Sequence, residues 1–351
     1  MTSGLRALIV GSIVSGLATA ATIAPAAGSA TLDSPRAEAR VAVSVATLWT
    51  APESPRTIDA AAVKAPADPA GWLRGLTTTG RRGLNGRVES QALYGQSVQV
   101  LEERGAWSRV VLPNQPSPKS EAGYPGWIPT AQLVASPTPE PGTPPHIATL
   151  EEAVVTGRTT WAHAEPTLAS RIIRLSYGTR LPVVRAAEGV VGVRAPVGAV
   201  GVLAPDGRTL WVSAKRVKLV IPGAATRKPT GSAVASEARK FLGLPYLWGG
   251  TSGFGVDCSG LTHLVYAQLG VTIPRDATPQ FATGKHVSRV SKLRTGDLVF
   301  FRDRSGSIHH VGIYAGKGRM IHSPRTGQPV QLSSIRKGLW AREFAGGRRY
   351  L

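Results

Sequence analysis

The stretch Ser136-Pro-Thr-Pro-Glu-Pro-Gly-Thr-Pro-Pro145 constrains this chain more than any other. Proline fixes φ, lacks the N–H that a helix interior or a central strand requires, and drives the residue before it out of the helical region. A run this dense is therefore an extended connector, and no single core is built across it. A softer break follows at Ile221 to Gly231, where Pro222, Gly223, Pro229 and Gly231 surround a basic pair. These interruptions predict segments at 38–135, 147–221 and 232–351, with the linker at 136–146. The 351 residues suffice for two or three domains, each of about 100–150 residues.

Ahead of the first segment, Arg6 precedes an apolar run from Ala7 through Ala24 and small residues ending in Gly28-Ser29-Ala30. A basic start, an apolar centre and a small-residue exit predict a secretory signal peptide over 1–30, cleaved after Ala30. Retention as a membrane anchor is the competing reading; Gly and Ser interrupt the run, and no basic stop flanks it. No cysteine lies near this exit to carry a lipid. No other stretch approaches the roughly 20 apolar residues of a spanning helix. The expected product is soluble and secreted, extracellular or in the cell wall.

The 41 basic residues exceed the 21 acidic ones, giving a formal charge of +20 spread along the chain. Such an excess suits a polyanion: nucleic acid, anionic lipid or an anionic cell-wall polymer. Export removes nucleic acid from that set. Retention on anionic cell-wall polymers remains, with simple solubility as the alternative. The chain has one cysteine, Cys258, so no internal disulfide can form. It is buried and inert, paired between chains, or a reactive thiol, and an oxidising compartment favours the last.

The first two segments alternate in short apolar runs: Ser97-Val-Gln-Val-Leu101, Trp107-Ser-Arg-Val-Val111 and Gly126-Trp-Ile128, then Arg180-Leu-Pro-Val-Val184, Gly192-Val-Arg194 and Thr209-Leu-Trp-Val212. Period-two runs broken by Gly, Pro and Asn predict small all-β barrels, with no helix of useful length in either segment. The third segment differs. Ala233 to Leu242 carries helical spacing, a Gly-rich loop follows at 243–250, and Cys258 opens a second helix with Leu261, Leu264, Val265 and Leu269 on one face. From Asp297 the period falls to two, through Phe301, His310–Tyr314 and Arg319–His322. Helices before antiparallel strands predict an α+β domain.

A cysteine at a helix N-terminus is readily ionised, because unpaired N–H groups and the helix dipole stabilise thiolate. The same N–H groups can hold an oxyanion after attack on a carbonyl. The base is expected from the following strands. His310 and His322 flank the turn Ala315-Gly-Lys-Gly318, and a pairing centred near Gly316 sets them directly opposite, where one imidazole can orient the other. Cys258 is thus the expected nucleophile, His310 the base and His322 the orienter. His309 is expected to face away and His263 to be exposed on its helix. A zinc site from Cys258, His309, His310 and His322 lacks a second cysteine or a His-Glu-x-x-His helix, so no metal or other cofactor is expected.

The motifs Pro245-Tyr-Leu-Trp-Gly-Gly-Thr, Val256-Asp-Cys-Ser-Gly-Leu, Pro274-Arg-Asp, Gly296-Asp-Leu-Val-Phe-Phe, His310-Val-Gly-Ile-Tyr and Ile321-His-Ser-Pro resemble, in order and spacing, the NlpC family of bacterial cell-wall cysteine peptidases, papain-like in fold. The resemblance covers about 232–345. It implies cleavage of peptidoglycan stem peptides, commonly between γ-D-glutamate and the diamino acid, with Tyr246, Asp257 and Ser259 lining the substrate groove. The first two segments resemble bacterial SH3-like barrels. Val88-Glu-Ser-Gln-Ala-Leu-Tyr-Gly95 and Gly123-Tyr-Pro-Gly-Trp127 resemble a subgroup of γ-D-glutamyl-L-diamino acid endopeptidases with two such barrels. That likeness implies that Glu89 and Tyr124 close over the free L-Ala amino end, whose ammonium meets Glu89 and Asp257. Ala277-Thr278 departs from the pattern where relatives offer a serine.

The resulting expectation is two SH3-like barrels followed by an α+β papain-like domain, acting on stem peptides or muropeptides as a monomer. Competing readings are a wall-binding protein with an inactive peptidase domain, and an amidase or acyltransferase using the same cysteine and histidine.

Overall fold

The computed structural model describes Met1 and residues 37–136, 151–184, 198–224 and 228–351. The expected leader, the Pro-rich linker and the Gly192-Val-Arg194 run lie outside the described residues, apart from Met1 and Ser136.

In the first barrel, strands Ala37–Val41, Val45–Trp49, Val88–Leu93, Ser97–Arg104, Trp107–Leu112, Tyr124–Pro129 and Leu133–Ala135 form one antiparallel sheet. Alternation drives it: Val98 and Val100 enter the core with Val41, Leu48, Val110 and Ile128, while Gln99 between them stays out of that core. The expectation of no helix fails here. Between the second and third strands the chain runs through helices Ala60–Val63, Pro69–Gly75 and Thr78–Arg82. They are made by caps and one anchor instead of periodicity. Asp68 accepts the Gly71 N–H with Pro69 at the first helical position, Thr77 accepts the Gly80 N–H, and buried Trp72 donates its Nε1–H to Asp59 at 2.9 Å. Asp59 is itself paired with Arg56. Helices this short contain too few turns to reveal a 3.6-residue period.

The second barrel divides into two sheets. One orders Arg171–Ser176, Thr159–His163, Thr209–Ser213 and Ala199–Leu203; the other orders Arg180–Pro182, Glu152–Val155 and Val217–Val220. Ala153, Val155, Ala162, Leu175, Val202 and Val212 fill the space between them.

The third segment packs helices Gly231–Arg239 and Cys258–Gln268 against a six-stranded antiparallel sheet. The sheet orders Lys285–Val287, Phe344–Arg349, Leu298–Arg302, Ile308–Gly316, Arg319–His322 and Gln331–Ser334. Val234, Leu261, Val265, Phe300, Val311 and Ile321 meet in one core. The Cys258 helix is enclosed on nearly all sides, which corrects the expectation for His263. That ring is buried, its Nδ1 lies 2.9 Å from the Ile273 carbonyl oxygen, and burial pushes its pKa down to about 4. A helix covered by a sheet, a second helix and both barrels has no solvent face on which to leave a histidine.

Both barrels dock on this domain. Tyr177 of the second barrel enters the catalytic core, edge-on to Phe241 at 4.9 Å, and donates to Glu237 at 2.6 Å. Lys218 donates to the Gln268 carbonyl oxygen at 2.7 Å, at the end of the Cys258 helix. The first barrel contributes Gln91, whose Oε1 accepts the Thr251 N–H at 3.1 Å, and Val88, whose carbonyl accepts from Trp248 Nε1 at 3.1 Å.

Candidate active site

The Cys258 helix starts where it does because Asp257, extended at φ −88° and ψ −174°, caps it by accepting the Gly260 N–H at 2.7 Å. The approach loop lies flat on the first turn. A Cβ on Gly260 would stand 2.0 Å from the Gly250 carbonyl oxygen, so glycine alone permits this contact. The loop thereby brings the Gly249 N–H to Asp257 Oδ2 at 2.9 Å.

Cys258 is half-buried, and the backbone N–H groups of Val311 and Ser259 act to lower the pKa of its thiol. Burial nevertheless pushes the thiol up to about 12, and the Asp257 carboxylate adds to the rise against the pull of those N–H groups and Arg275. The expected ready thiolate is therefore corrected: desolvation and a neighbouring anion outweigh the helix terminus.

His310 adjoins Val311, whose backbone N–H is among the groups that lower the Cys258 pKa. Its Nε2 lies 2.8 Å from His322 Nδ1, and His322 Nε2 lies 2.9 Å from Ser333 Oγ. If each Nε2 carries its proton and donates along this line, His310 Nδ1 is left as an unprotonated acceptor. Burial, then the neighbouring His322 and His309, hold His310 well below the ordinary imidazole value, and burial pushes His322 down to about 4. Both rings are neutral at pH 7.

The two histidines are not directly opposed, as the sequence reading has it. The turn is Lys317-Gly318 between paired Gly316 and Arg319, and beyond a one-residue bulge Tyr314 pairs with Met320 and Ile313 with Ile321, two residues out of the expected register. Continuing this register sets His322 against Gly312, and a Cβ on Gly312 would stand 3.1 Å from His322 Cβ. The imidazoles meet diagonally across the space that Gly312 leaves. Trp340 closes the other side: it stacks on His310 with centroids 4.7 Å apart and meets His322 edge-on at 5.1 Å. His309 does face away, its Nε2 3.0 Å from Glu343.

Around Cys258, Asp257 and Ser259 are held by a guanidinium that the sequence expectations do not include. Arg275, 1 % exposed, reaches Asp257 at 2.7 Å, Ser259 at 3.0 Å and Ser90 of the first barrel at 3.1 Å. Asp257 is consequently not free to receive a substrate ammonium; its oxygens serve Arg275, Gly249 and Gly260. The acidic recess lies beside it. Tyr124 places its hydroxyl 2.9 Å from Asp276 Oδ2 and 3.2 Å from Glu89 Oε2, so the two barrel residues and Asp276 are brought together. Burial raises the Asp276 pKa. Lys119 pairs with Glu89 and reaches the Tyr124 hydroxyl at 3.1 Å. Tyr246 is buried, and its phenol is pushed upward by burial, then by the charges of Cys258 and Asp257, so it remains a proton donor.

Arg275 and Asp276 lie within the quoted Pro274-Arg-Asp motif, which was a signal available in the sequence. Ser333, Lys119 and Trp340 sit in no motif read from it. Among the described residues, no His, Cys, Asp or Glu group is arranged to hold a metal ion.

Residues 243–349 match the NlpC/P60 family, 81–133 the bacterial dipeptidyl-peptidase Sh3 domain and 155–219 the YKFC SH3b2 domain. The chain is 38% identical over 323 residues to the gamma-D-glutamyl-L-lysine dipeptidyl-peptidase of Bacillus cereus, covering 90% of this chain and 91% of that one. It is 34% identical over 309 residues to the Bacillus subtilis protein of the same name, covering 87% and 96% respectively. The crystal structure of an NlpC/P60 family protein from Bacillus cereus superposes with a TM-score of 0.80 at 36% identity, covering 90% of this chain and 100% of that chain. Likeness of this extent, over both barrels and the domain that carries the thiol, makes the chain a member of the NlpC/P60 family of cysteine peptidases.

Proposed function

We propose that this enzyme hydrolyses the bond between γ-D-glutamate and the diamino acid in peptidoglycan stem peptides that begin with a free L-Ala, releasing L-Ala-γ-D-Glu. The carrying observation is the acidic recess of Glu89, Tyr124 and Asp276, joined to the nucleophile's cap through adjoining Arg275. A dipeptidyl-peptidase must recognise an amino terminus two residues from the cut. Two carboxylates and a phenol supply acceptors for an ammonium, which can take the place of the Lys119 ammonium on Glu89, whereas an N-capped peptide brings no charge to them. The names borne by the Bacillus relatives favour the same bond.

In this reading His310 takes the Cys258 proton through Nδ1 as sulfur attacks the γ-carbonyl carbon. The oxyanion is met by N–H groups of the helix's first turn and by the neutral Tyr246 hydroxyl. His310 then protonates the leaving amine of the diamino acid, and water, deprotonated by the same ring, hydrolyses the thioester. His322 and Ser333 hold the ring and its tautomer. The apolar leader and the charge of +20 support an exported enzyme retained near anionic wall polymers.

The test measures release of L-Ala-γ-D-Glu from a free-amine stem tripeptide and its N-acetylated counterpart. Cys258→Ala should abolish release, and Glu89→Ala should raise KM by about tenfold to a hundredfold, the loss of a hydrogen-bonded charge. Equal cleavage of the free and acetylated peptides by the unaltered enzyme would reject the amine recess.

A further inference from the structure

The amine recess accounts for the acyl half of the substrate and leaves the departing half without a receptor. That half carries its amine at the reacting end and a carboxylate at the other. A cleft of about 710 Å³ lies between the first barrel's helical detour and the catalytic domain, with Thr78, Arg82 and Asn85 on one side, Tyr246 and Trp248 between, and Arg325 on the other. The guanidiniums of Arg82 and Arg325 have no acidic partner and no hydrogen bond among the described residues. Two unpaired cations facing one cleft repel each other, and an anion between them would offset that cost with directional hydrogen bonds.

The cleft is built into the catalytic apparatus. Arg325 follows His322 by three residues, and between them Ser323 donates to the Val256 carbonyl oxygen at 2.8 Å, two residues before Cys258. Tyr246 bridges to Val256 and donates its N–H to the Gln328 carbonyl oxygen at 3.3 Å. On the barrel side, the Trp248 bond to Val88 fixes the wall, and Gly327 approaches Thr78 so closely that a Cβ would lie 3.1 Å from its methyl carbon. The walls touch there, which holds the two arginines across one opening. Tyr246 is common to the cleft and to the surroundings of Cys258.

We propose that Arg82 and Arg325 form a carboxylate subsite that receives the C-terminal end of the departing half of the stem peptide. The subsite rests on the reaction proposed above and adds a second reading head to it: negative charge for the substrate's amino end, positive charge for its carboxyl end. An enzyme built this way favours short, fully trimmed peptides, because both termini contribute to binding.

The experiment compares KM for a stem tripeptide ending in a free carboxylate with KM for the same peptide ending in a carboxamide, in the unaltered enzyme, Arg82→Gln and Arg325→Gln. Both arginines are exposed, so the variants should fold, and thermal unfolding checks that they do. The unaltered enzyme should prefer the acid by about tenfold, the worth of one charge-assisted hydrogen bond. Each substitution should bring the acid-to-amide ratio toward one, chiefly through KM. Ready release of dipeptide with equal KM for acid and amide, or a preference unaltered by both substitutions, overturns the subsite and leaves the reaction standing. Absence of dipeptide from both peptides overturns the reaction, and the subsite with it.

Discussion

The two barrels are built on the same kind of fold and meet the catalytic domain differently. The first presents side chains to the site: Glu89, Tyr124 and Lys119 around the recess, Ser90 on Arg275, and Arg82 on the cleft. The second presents none of these. It buries Tyr177 in the catalytic core and sets Lys218 on the end of the nucleophile's helix. A barrel therefore has no fixed role. What it does follows from which loops and strand ends it turns toward its neighbour, and the first barrel's detour and its 113–123 loop are the parts that reach the substrate side.

This division can be broken by experiment. The largest effect should come from Tyr177→Ala, which removes a fully buried aromatic and its bond to Glu237. We expect a stability loss of about 3–5 kcal/mol by denaturant unfolding, with the amine preference of the folded fraction retained. A loss of that preference without a stability change would make the second barrel part of the recognition surface.

Trp340→Ala should act on the chemistry instead. Neutral His310 is the form that accepts a proton, and its depressed pKa puts the acid limb of kcat/KM below pH 6.5. Without the indole, water reaches the ring, its pKa rises, and the acid limb moves to higher pH while kcat falls about tenfold; Trp340→Phe should restore most of both. An unmoved limb would reduce Trp340 to packing. The smallest effect belongs to Lys119→Met. Its ammonium pairs with Glu89 at the proposed amine recess, so removing it should lower KM for free-amine peptides a few-fold, within the range of a partly exposed ion pair. A raised KM would mean that Lys119 helps to hold the recess in shape.

Much of this was legible in the sequence because it is local. The proline run, the period change after Asp297, and a cysteine opening an apolar helix each need only a short window. Counting across the turn brings His310 and His322 together but in the wrong register, since Ala315-Gly-Lys-Gly318 does not reveal that the turn is Lys317-Gly318, one step beyond Gly316. Asp257 was misread for a related reason. Its neighbours in the chain give no hint that Arg275, eighteen residues on, occupies its oxygens. The rise of the Cys258 pKa depends on how completely elements distant in sequence enclose it, and His263 was judged from its own helix without the layers that cover it.

Arg275 also ties together two properties that are usually separable in modular enzymes. One side chain grips the first barrel at Ser90 and holds Asp257, the cap of the Cys258 helix. A chain whose first barrel has come away keeps the Arg275–Asp257 pair but leaves the buried Nε–H without its Ser90 acceptor, a loss of about 1–3 kcal/mol that entry of water into the cap would offset. Docking of the first barrel is thereby felt at the cap: the contact that brings Tyr124 to Asp276 also completes the hydrogen bonding of the guanidinium that holds Asp257.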